Sequence, residues 1–207
     1  CLMIELGASQ ALIARPKPDD IFALMQEDNI TIFPGVPTIY SSLLCADTFD
    51  ISYFSQLKFC ASGAAPLPDA IRQEWKQCTG KEIIEFYGMT EATAMMFGNP
   101  YTGATKAKCV GMPIPNTHCK IITSGQPDKS LAAGEIGEIC VSGPQISSGY
   151  LNQPDANTET FVDDWLHTGD LGYLDDEGSL FVVDRIKNMI ISSGFNVYPR
   201  EIDEVLI

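Results

Sequence analysis

The residues of this chain that can do chemistry fall in three short strings, each beside a predicted strand. Tyr87-Gly88-Met89-Thr90-Glu91-Ala92 presents an aromatic face, a hydroxyl and a carboxylate within five residues. A base can stack on Tyr87, Thr90 can donate to a phosphate, and Glu91 offers the oxygen donors that Mg²⁺ prefers. The same string also fits a buried tyrosine ahead of a capped helix start. Ser62-Gly63-Ala64-Ala65-Pro66-Leu67 is small enough for a flat ligand to approach the backbone, and equally fits a plain strand-to-helix turn. Trp165-Leu166-His167-Thr168-Gly169-Asp170 reads as a turn ahead of a strand starting at Gly172-Tyr173. Asp170 can accept two hydrogen bonds from a ribose diol, the use to which dinucleotide-binding folds put an acidic residue. A turn-forming aspartate accounts for it too, as does a solvated acidic face with Asp163, Asp164, Asp175, Asp176 and Glu177. These acids lack the spacing of an EF-hand loop.

The elements that must position these strings change character along the chain. Pro18-Asp19-Asp20 starts a helix with Ile21, Leu24 and Met25 on one face, and Ile30-Thr31-Ile32-Phe33 follows as a buried strand. Val36 to Cys45 fits a second helix. Leu57 to Ala61 is a strand, and a helix carrying Ile71, Trp75 and Cys78 on one face is closed by Gly80. Glu82 to Phe86 is the third strand. This alternation predicts an α/β fold with a mostly parallel sheet and ligands at the carboxyl ends of its strands. Beyond residue 100 short strands are cut by turn signals: His118 to Thr123, Glu138 to Ser142, and Leu180 to Asp184 after the turn Asp175-Asp176-Glu177-Gly178. That pattern predicts a small antiparallel sheet or barrel-like subdomain. Met189-Ile190-Ile191, a turn at Gly194 and a helix opened by Pro199 complete the chain. The resulting division is 1–100, 101–184 and 185–207.

Composition bounds the possibilities. The chain has 207 residues, 45% of them hydrophobic, which excludes a disordered or low-complexity class. Lys and Arg number 13 against 27 Asp and Glu, a net charge of -14, so nucleic-acid partners and a polybasic membrane surface are not expected. Seven cysteines at wide spacing without a CxxC pair argue against a disulfide framework or zinc site and fit a reducing, cytoplasmic location. His118 beside Cys119 is a ligand-type pair, but neighbours on a strand point to opposite faces. No apolar run approaches the ~20 residues of a membrane span. The chain opens on Cys1-Leu2-Met3-Ile4 within what reads as structure, and Ile207 falls inside a helix, so a piece of a longer protein is expected.

Taken in order, these strings resemble the adenylate-forming acyl-CoA synthetases, and within them the bacterial long-chain fatty-acid CoA ligases. The resemblance rests on Ser62 to Leu67, Tyr87 to Glu91, Gly134-Glu135-Ile136-Gly137-Glu138 with Gly143-Pro144-Gln145 and Gly149-Tyr150, Trp165 to Asp170, Asp184-Arg185, and Ser193 to Pro199. It implies that Gly63, Ala64, Ala65 and Tyr87, with Gly88 beside it, bind the adenosine moiety. Thr90 would contact phosphate, Glu91 the magnesium, and Asp170 the ribose hydroxyls with help from Arg185. Thr90 and Glu91 would thereby be the catalytic pair. Lys187 falls at the family's hinge, and Gly194 and Phe195 on the loop that approaches the CoA pantetheine. The segments 33–36 and 88–96 would border the acyl pocket.

The implied co-substrates are ATP with Mg²⁺, coenzyme A, and a fatty acid or related carboxylic acid; peripheral membrane contact stays open. Two departures qualify this. Nothing in residues 1–56 matches the family's Ser/Thr/Gly-rich phosphate loop, and the lysine that closes the adenylation site belongs beyond Ile207. The chain alone is therefore expected to adenylate little or nothing. An aryl or medium-chain CoA ligase, an acyl-AMP ligase and a non-catalytic nucleotide-binding module are the rival readings.

Overall fold

Proline at a first turn needs no backbone N–H partner, and acids there face the positive end of the helix dipole. Both devices open α1 (Pro18–Glu27), which has Asp19 and Asp20 in its first turn and buries Ile21, Phe22 and Met25. The computed structural model describes residues 5–100, 106–192, 195–199 and 202. The chain forms two compact units, Cys1–Ile83 and Ile84–Ile207.

In the first unit α1 is followed by β1 (Ile32–Gly35), α2 (Pro37–Leu44), β2 (Phe59–Ser62) and α3 (Asp69–Thr79). Strands β1 and β2 pair in parallel, from Ile32 opposite Phe59 to Gly35 opposite Ser62. The first strand thus starts two residues later than the sequence suggests. It is the outermost of the described strands, and Ile32 is exposed rather than buried. The glycine stop is as expected, with Gly80 left-handed at φ 70° and its N–H bonded to the Lys76 carbonyl.

The core of this unit is aromatic. Trp75 is fully buried, with Tyr40 and Phe54 edge-on at centroid distances of 4.9 and 5.0 Å. The Tyr40 hydroxyl lies 2.8 Å from the Ala61 carbonyl and 3.0 Å from that of Phe33, so its proton is shared between the two strands. Burial pushes its phenol pKa well up.

In the second unit the strands are antiparallel, in the order β3 (Ile83–Tyr87), β4 (Phe97–Gly98), β5 (Cys109–Pro113), β11 (Leu180–Arg185), β10 (Trp165–Leu174), β8 (Gly137–Ser142), β6 (His118–Thr123), β7 (Gln126–Ser130). A short β9 (Phe161–Val162) after α4 (Pro154–Thr160) pairs with the start of β10. Of the two forms the sequence leaves open here, the described strands take the open sheet, ending at β7. Alternation packs Ile121, Ile139, Val141 and Leu166 with Met96, Phe97 and Leu180. Strands β12 (Ile190–Ser192) and β13 (Phe195–Val197) form a separate hairpin; the turn at Gly194 and nearly all of the helix expected after Pro199 lie outside the described residues.

Several acids that read as a solvated face are turn formers. Asp163 and Asp164, at φ 49° and 64°, make the two-residue connection from β9 to β10. Asp175 accepts from the Glu177 and Ser179 amides and pairs with Lys106, which also reaches Glu177 at 2.7 Å. Among the described residues no helix is long and apolar enough to cross a membrane.

Candidate functional site

Strand β3 ends on Tyr87, and the chain turns at once into a single 3-10 turn, Thr90–Ala92. The capped helix start that competed with a functional reading is not there: Met89, at the N-cap position, makes no side-chain cap. Gly88 is demanded by close approach, since a Cβ there would sit 1.6 Å from the Ala94 carbonyl oxygen. Thr90 is exposed and Glu91 half-buried.

The third string is a strand, not a turn. Trp165 to Asp170 forms the first six residues of β10, and what reads as a turn is a bulge inside it. His167 opposes Cys140 and Leu171 opposes Glu138, so three residues of β10 (168–170) face one of β8 (Ile139), a surplus of two. Gly169, at φ 68°, supplies the left-handed conformation the bulge needs. Thr168 closes it: its hydroxyl donates to the Ile139 carbonyl at 2.8 Å and accepts from the Asp170 amide at 3.1 Å.

The bulge brings Asp170 to Tyr87. The Tyr87 hydroxyl donates to Asp170 Oδ2 at 2.7 Å, across 83 residues of sequence. Arg185, directly opposite Asp170 in the β10–β11 register, lies with Nε 3.3 Å from Oδ1. Asp170 is buried, whereas the arginine is mostly exposed and contributes little energy. Burial, then the negative charge of Asp170, holds the Tyr87 phenol well above its ordinary pKa, so it stays a proton donor.

Glu91 has a partner that no local pattern could reveal. Tyr150, 59 residues away, donates its hydroxyl to Glu91 Oε1 at 2.5 Å, and this bond raises the phenol pKa. Asn157 holds Tyr150 from behind, accepting from its amide at 2.6 Å and donating to its carbonyl at 3.0 Å. The Ser147 amide donates to the Glu91 carbonyl at 2.7 Å, and Thr93 donates to the Gln145 carbonyl at 2.9 Å. The Gly143-Pro144-Gln145 and Gly149-Tyr150 strings therefore brace the Tyr87–Glu91 turn. Gly149-Tyr150 stands out in the sequence, but without a role; Asn157 gives no signal.

The other expected site residues lie on further elements of the two units. Gly63, Ala64 and Ala65 form the turn after β2 in the first unit, with both alanines exposed and Ala64 at φ 66°. Lys187 is exposed on the 3-10 turn Ile186–Asn188 after β11. Phe195 opens β13, opposite Ser192, and Gly194 lies outside the described residues. His118 is exposed while Cys119 packs toward the core, the opposite-face geometry that rules out their joint action.

A buried carboxylate met by a phenol and an arginine can accept from ligand hydroxyls, and the braced carboxylate of Glu91 offers hard oxygen to a cation. The sequence matches the AMP-binding enzyme family over residues 1–151, and the chain belongs to that family. It is 40% identical over its whole length to the long-chain-fatty-acid–CoA ligase of Salmonella typhimurium, and 38% identical over 98% of its length to that of Bacillus subtilis. It spans 36% of each, about a third of their length. Among solved structures it is similar to ATP-bound MatB of Rhodopseudomonas palustris (TM-score 0.90, 35% identity, covering 97% of this chain and 39% of that one). It is also similar to O-succinylbenzoate coenzyme A synthetase of Bacillus subtilis in complex with ATP and magnesium (TM-score 0.86, 31% identity, 99% and 42%).

Proposed function

We propose that this chain carries the adenosine-binding part of an ATP-dependent, AMP-forming long-chain fatty-acid CoA ligase. The observation that supports this most is the convergence of Tyr87 and Arg185 on Asp170, because a buried carboxylate with one oxygen oriented by a phenol can accept from a vicinal diol. Asp170, with Arg185, takes the ribose hydroxyls. The face of Tyr87, Gly88 and the turn Gly63-Ala64-Ala65 take the adenine, as the family resemblance implies. Thr90 donates to the phosphates. Glu91 fits a magnesium ligand: Tyr150 occupies Oε1, leaving the second oxygen as a hard donor. When bound, the ion offsets negative charge where a carboxylate meets the triphosphate.

In the reaction a carboxylate oxygen of the fatty acid attacks the α-phosphorus and pyrophosphate leaves with the bridging electron pair. The CoA thiol then attacks the acyl carbon and AMP departs. What the chain contributes is orientation: Tyr150 and Asn157 fix Glu91 before substrate arrives, and the Thr168-closed bulge fixes Asp170. Lys187 serves as hinge, with Gly194 and Phe195 near the pantetheine, so that the functional parts are 1–100, 101–184 and 185–207. The setting is cytoplasmic, with peripheral membrane contact to reach acyl chains.

Calorimetric titration of the chain with AMP and with a non-hydrolysable acyl-AMP analogue tests this. Binding that weakens by roughly 10- to 100-fold in Asp170→Ala, the cost of hydrogen bonds to a charged group, is the expected result. Absence of binding, or binding indifferent to Asp170→Ala and Tyr87→Ala, would instead favour a nucleotide-independent module. Pyrophosphate release by the isolated chain should be near zero. An aryl or medium-chain acid, or an acyl-AMP ligase activity, is the second reading. Similarity to an anthranilate CoA ligase (TM-score 0.88, 28% identity) favours it, and a substrate profile of the intact protein decides.

A further inference from the structure

On the face of β8 and β10 turned away from Ile139, Val141 and Leu166, three metal-type donors meet. Glu138 and Cys140 are two apart on β8, hence on the same side, and His167 is the residue directly opposite Cys140 on β10. A carboxylate oxygen, the thiol sulfur and a ring nitrogen all lie within 4.8 Å of one another. His167 Nδ1 is 3.4 Å from Glu138 Oε2, close to the ~3.3 Å edge expected between two ligands of a tetrahedral ion with bonds of about 2.0 Å. Cys140 is fully buried and Glu138 nearly so.

The donors are poorly satisfied by the protein itself. The contacts of the Glu138 carboxylate, to His167 Nδ1 and to the Gly169 amide, are both 3.4 Å, at the outer limit of hydrogen bonding. His167 Nε2 is buried without a partner among the described residues. A buried carboxylate whose contacts are this long is costly, and a cation shared between it and His167 Nδ1 would offset that cost. Lys120 shares the face, opposite Cys140 on β6, but its ammonium is drawn over the Trp165 ring, 4.4 Å from the centroid. Two of the donors sit on one rung of a paired sheet, so the trio is positioned before any ion arrives.

We propose that Glu138, Cys140 and His167 form a site for one thiophilic divalent cation of the Zn²⁺ class, with water completing four-coordination. The mixed sulfur, nitrogen and oxygen set selects such an ion over Mg²⁺, which prefers all-oxygen ligands. On binding, the Cys140 S–H bond breaks, its proton goes to solvent and the sulfur lone pair forms the bond to the metal. This site is distinct from Glu91 and does not depend on the ligase reading.

The purified protein, stripped with chelator, is titrated with Co²⁺ as a spectroscopic probe and then with Zn²⁺. The expected result is one equivalent of Co²⁺ giving a thiolate-to-metal charge-transfer band, bleached by Zn²⁺. Cys140→Ala should abolish that band and weaken Zn²⁺ binding by more than about 100-fold, beyond the loss typical of outer-sphere changes. Cys119→Ala, on the opposite face of the sheet, should leave both unchanged. X-ray absorption on the Zn²⁺-loaded unmutated protein should show one sulfur among light-atom neighbours, a readout that survives if a variant misfolds. A charge-transfer band retained in Cys140→Ala, a zinc shell without sulfur, or no stoichiometric binding would each overturn the proposal.

Discussion

Replacing Thr168 by valine tests whether the β10 bulge aims Asp170. Valine keeps the β-branched shape but deletes the hydroxyl that donates to the Ile139 carbonyl and accepts from the Asp170 amide. Each bond contributes about 1 kcal/mol net, and a backbone group left unsatisfied adds to the loss, so the variant should be destabilised by about 2–3 kcal/mol. The second effect is positional. Asp170 holds a 2.7 Å bond from Tyr87 only because the bulge projects it there, so a relaxed bulge should cost about tenfold in AMP affinity, or about 1.4 kcal/mol. Urea unfolding gives the first quantity, read as a change in midpoint at constant slope. Calorimetry at a temperature where both proteins are folded gives the second. Serine in place of Thr168 keeps the hydroxyl and should restore most of the affinity. A valine variant that matched the parent in both assays would refute the claim that Thr168 sets the geometry of Asp170.

Gly88→Ala should abolish nucleotide binding and lower the melting temperature, because the added methyl would meet the Ala94 carbonyl oxygen at 1.6 Å and the turn from 88 to 95 must rebuild; thermal melts with and without AMP check this. Trp75→Ala should cost about 3–5 kcal/mol in chemical denaturation. Trp75→Phe should cost clearly less, since an aromatic ring remains to pack edge-on against Tyr40 and Phe54. The Lys106–Asp175 turn should show a pH signature. Hydrogen bonds from Lys106 and the Ser179 amide depress the Asp175 pKa, so its contribution is present above the ordinary carboxylate range and lost as pH falls through the depressed value. Lys106 is raised by the same partners, so its contribution is present below the ordinary lysine pKa and lost only in strong alkali. Amide exchange at Glu177 and Ser179 should therefore accelerate in acid, and Lys106→Gln should remove most of that pH dependence.

What the sequence discloses is what neighbours along the chain decide. Proline and paired aspartates in the first turn of α1, and the glycine after α3, are local devices, and both helices lie where these place them. The antiparallel strands from His118 and to Ser142 are equally visible, because short runs bounded by turn residues need no partner to be seen. The bulge is different. Thr168-Gly169-Asp170 has the composition of a turn, and only the pairing of His167 with Cys140 and Leu171 with Glu138 turns it into a projection from a continuous strand. Tyr150 with Glu91, and Glu138 with His167, are likewise products of register between segments 29 or more residues apart. The side chains expected at the adenosine site are legible as strings; the residues that hold them in place are not.

The surplus carried by the β10 bulge is an even number, and this fixes how the strand can be edited. His167 and Leu171 keep the same sidedness although the backbone between them has left the ladder. Removing one residue from 168–170 would not shorten a loop; it would invert every side chain that follows, sending Leu171 and Tyr173 to the wrong surface of the sheet. Removing two would heal the ladder and keep its sidedness, leaving a better-paired strand whose acid no longer reaches the tyrosine. The acid at 170 can therefore be withdrawn from the tyrosine without inverting the strand only by paired deletions.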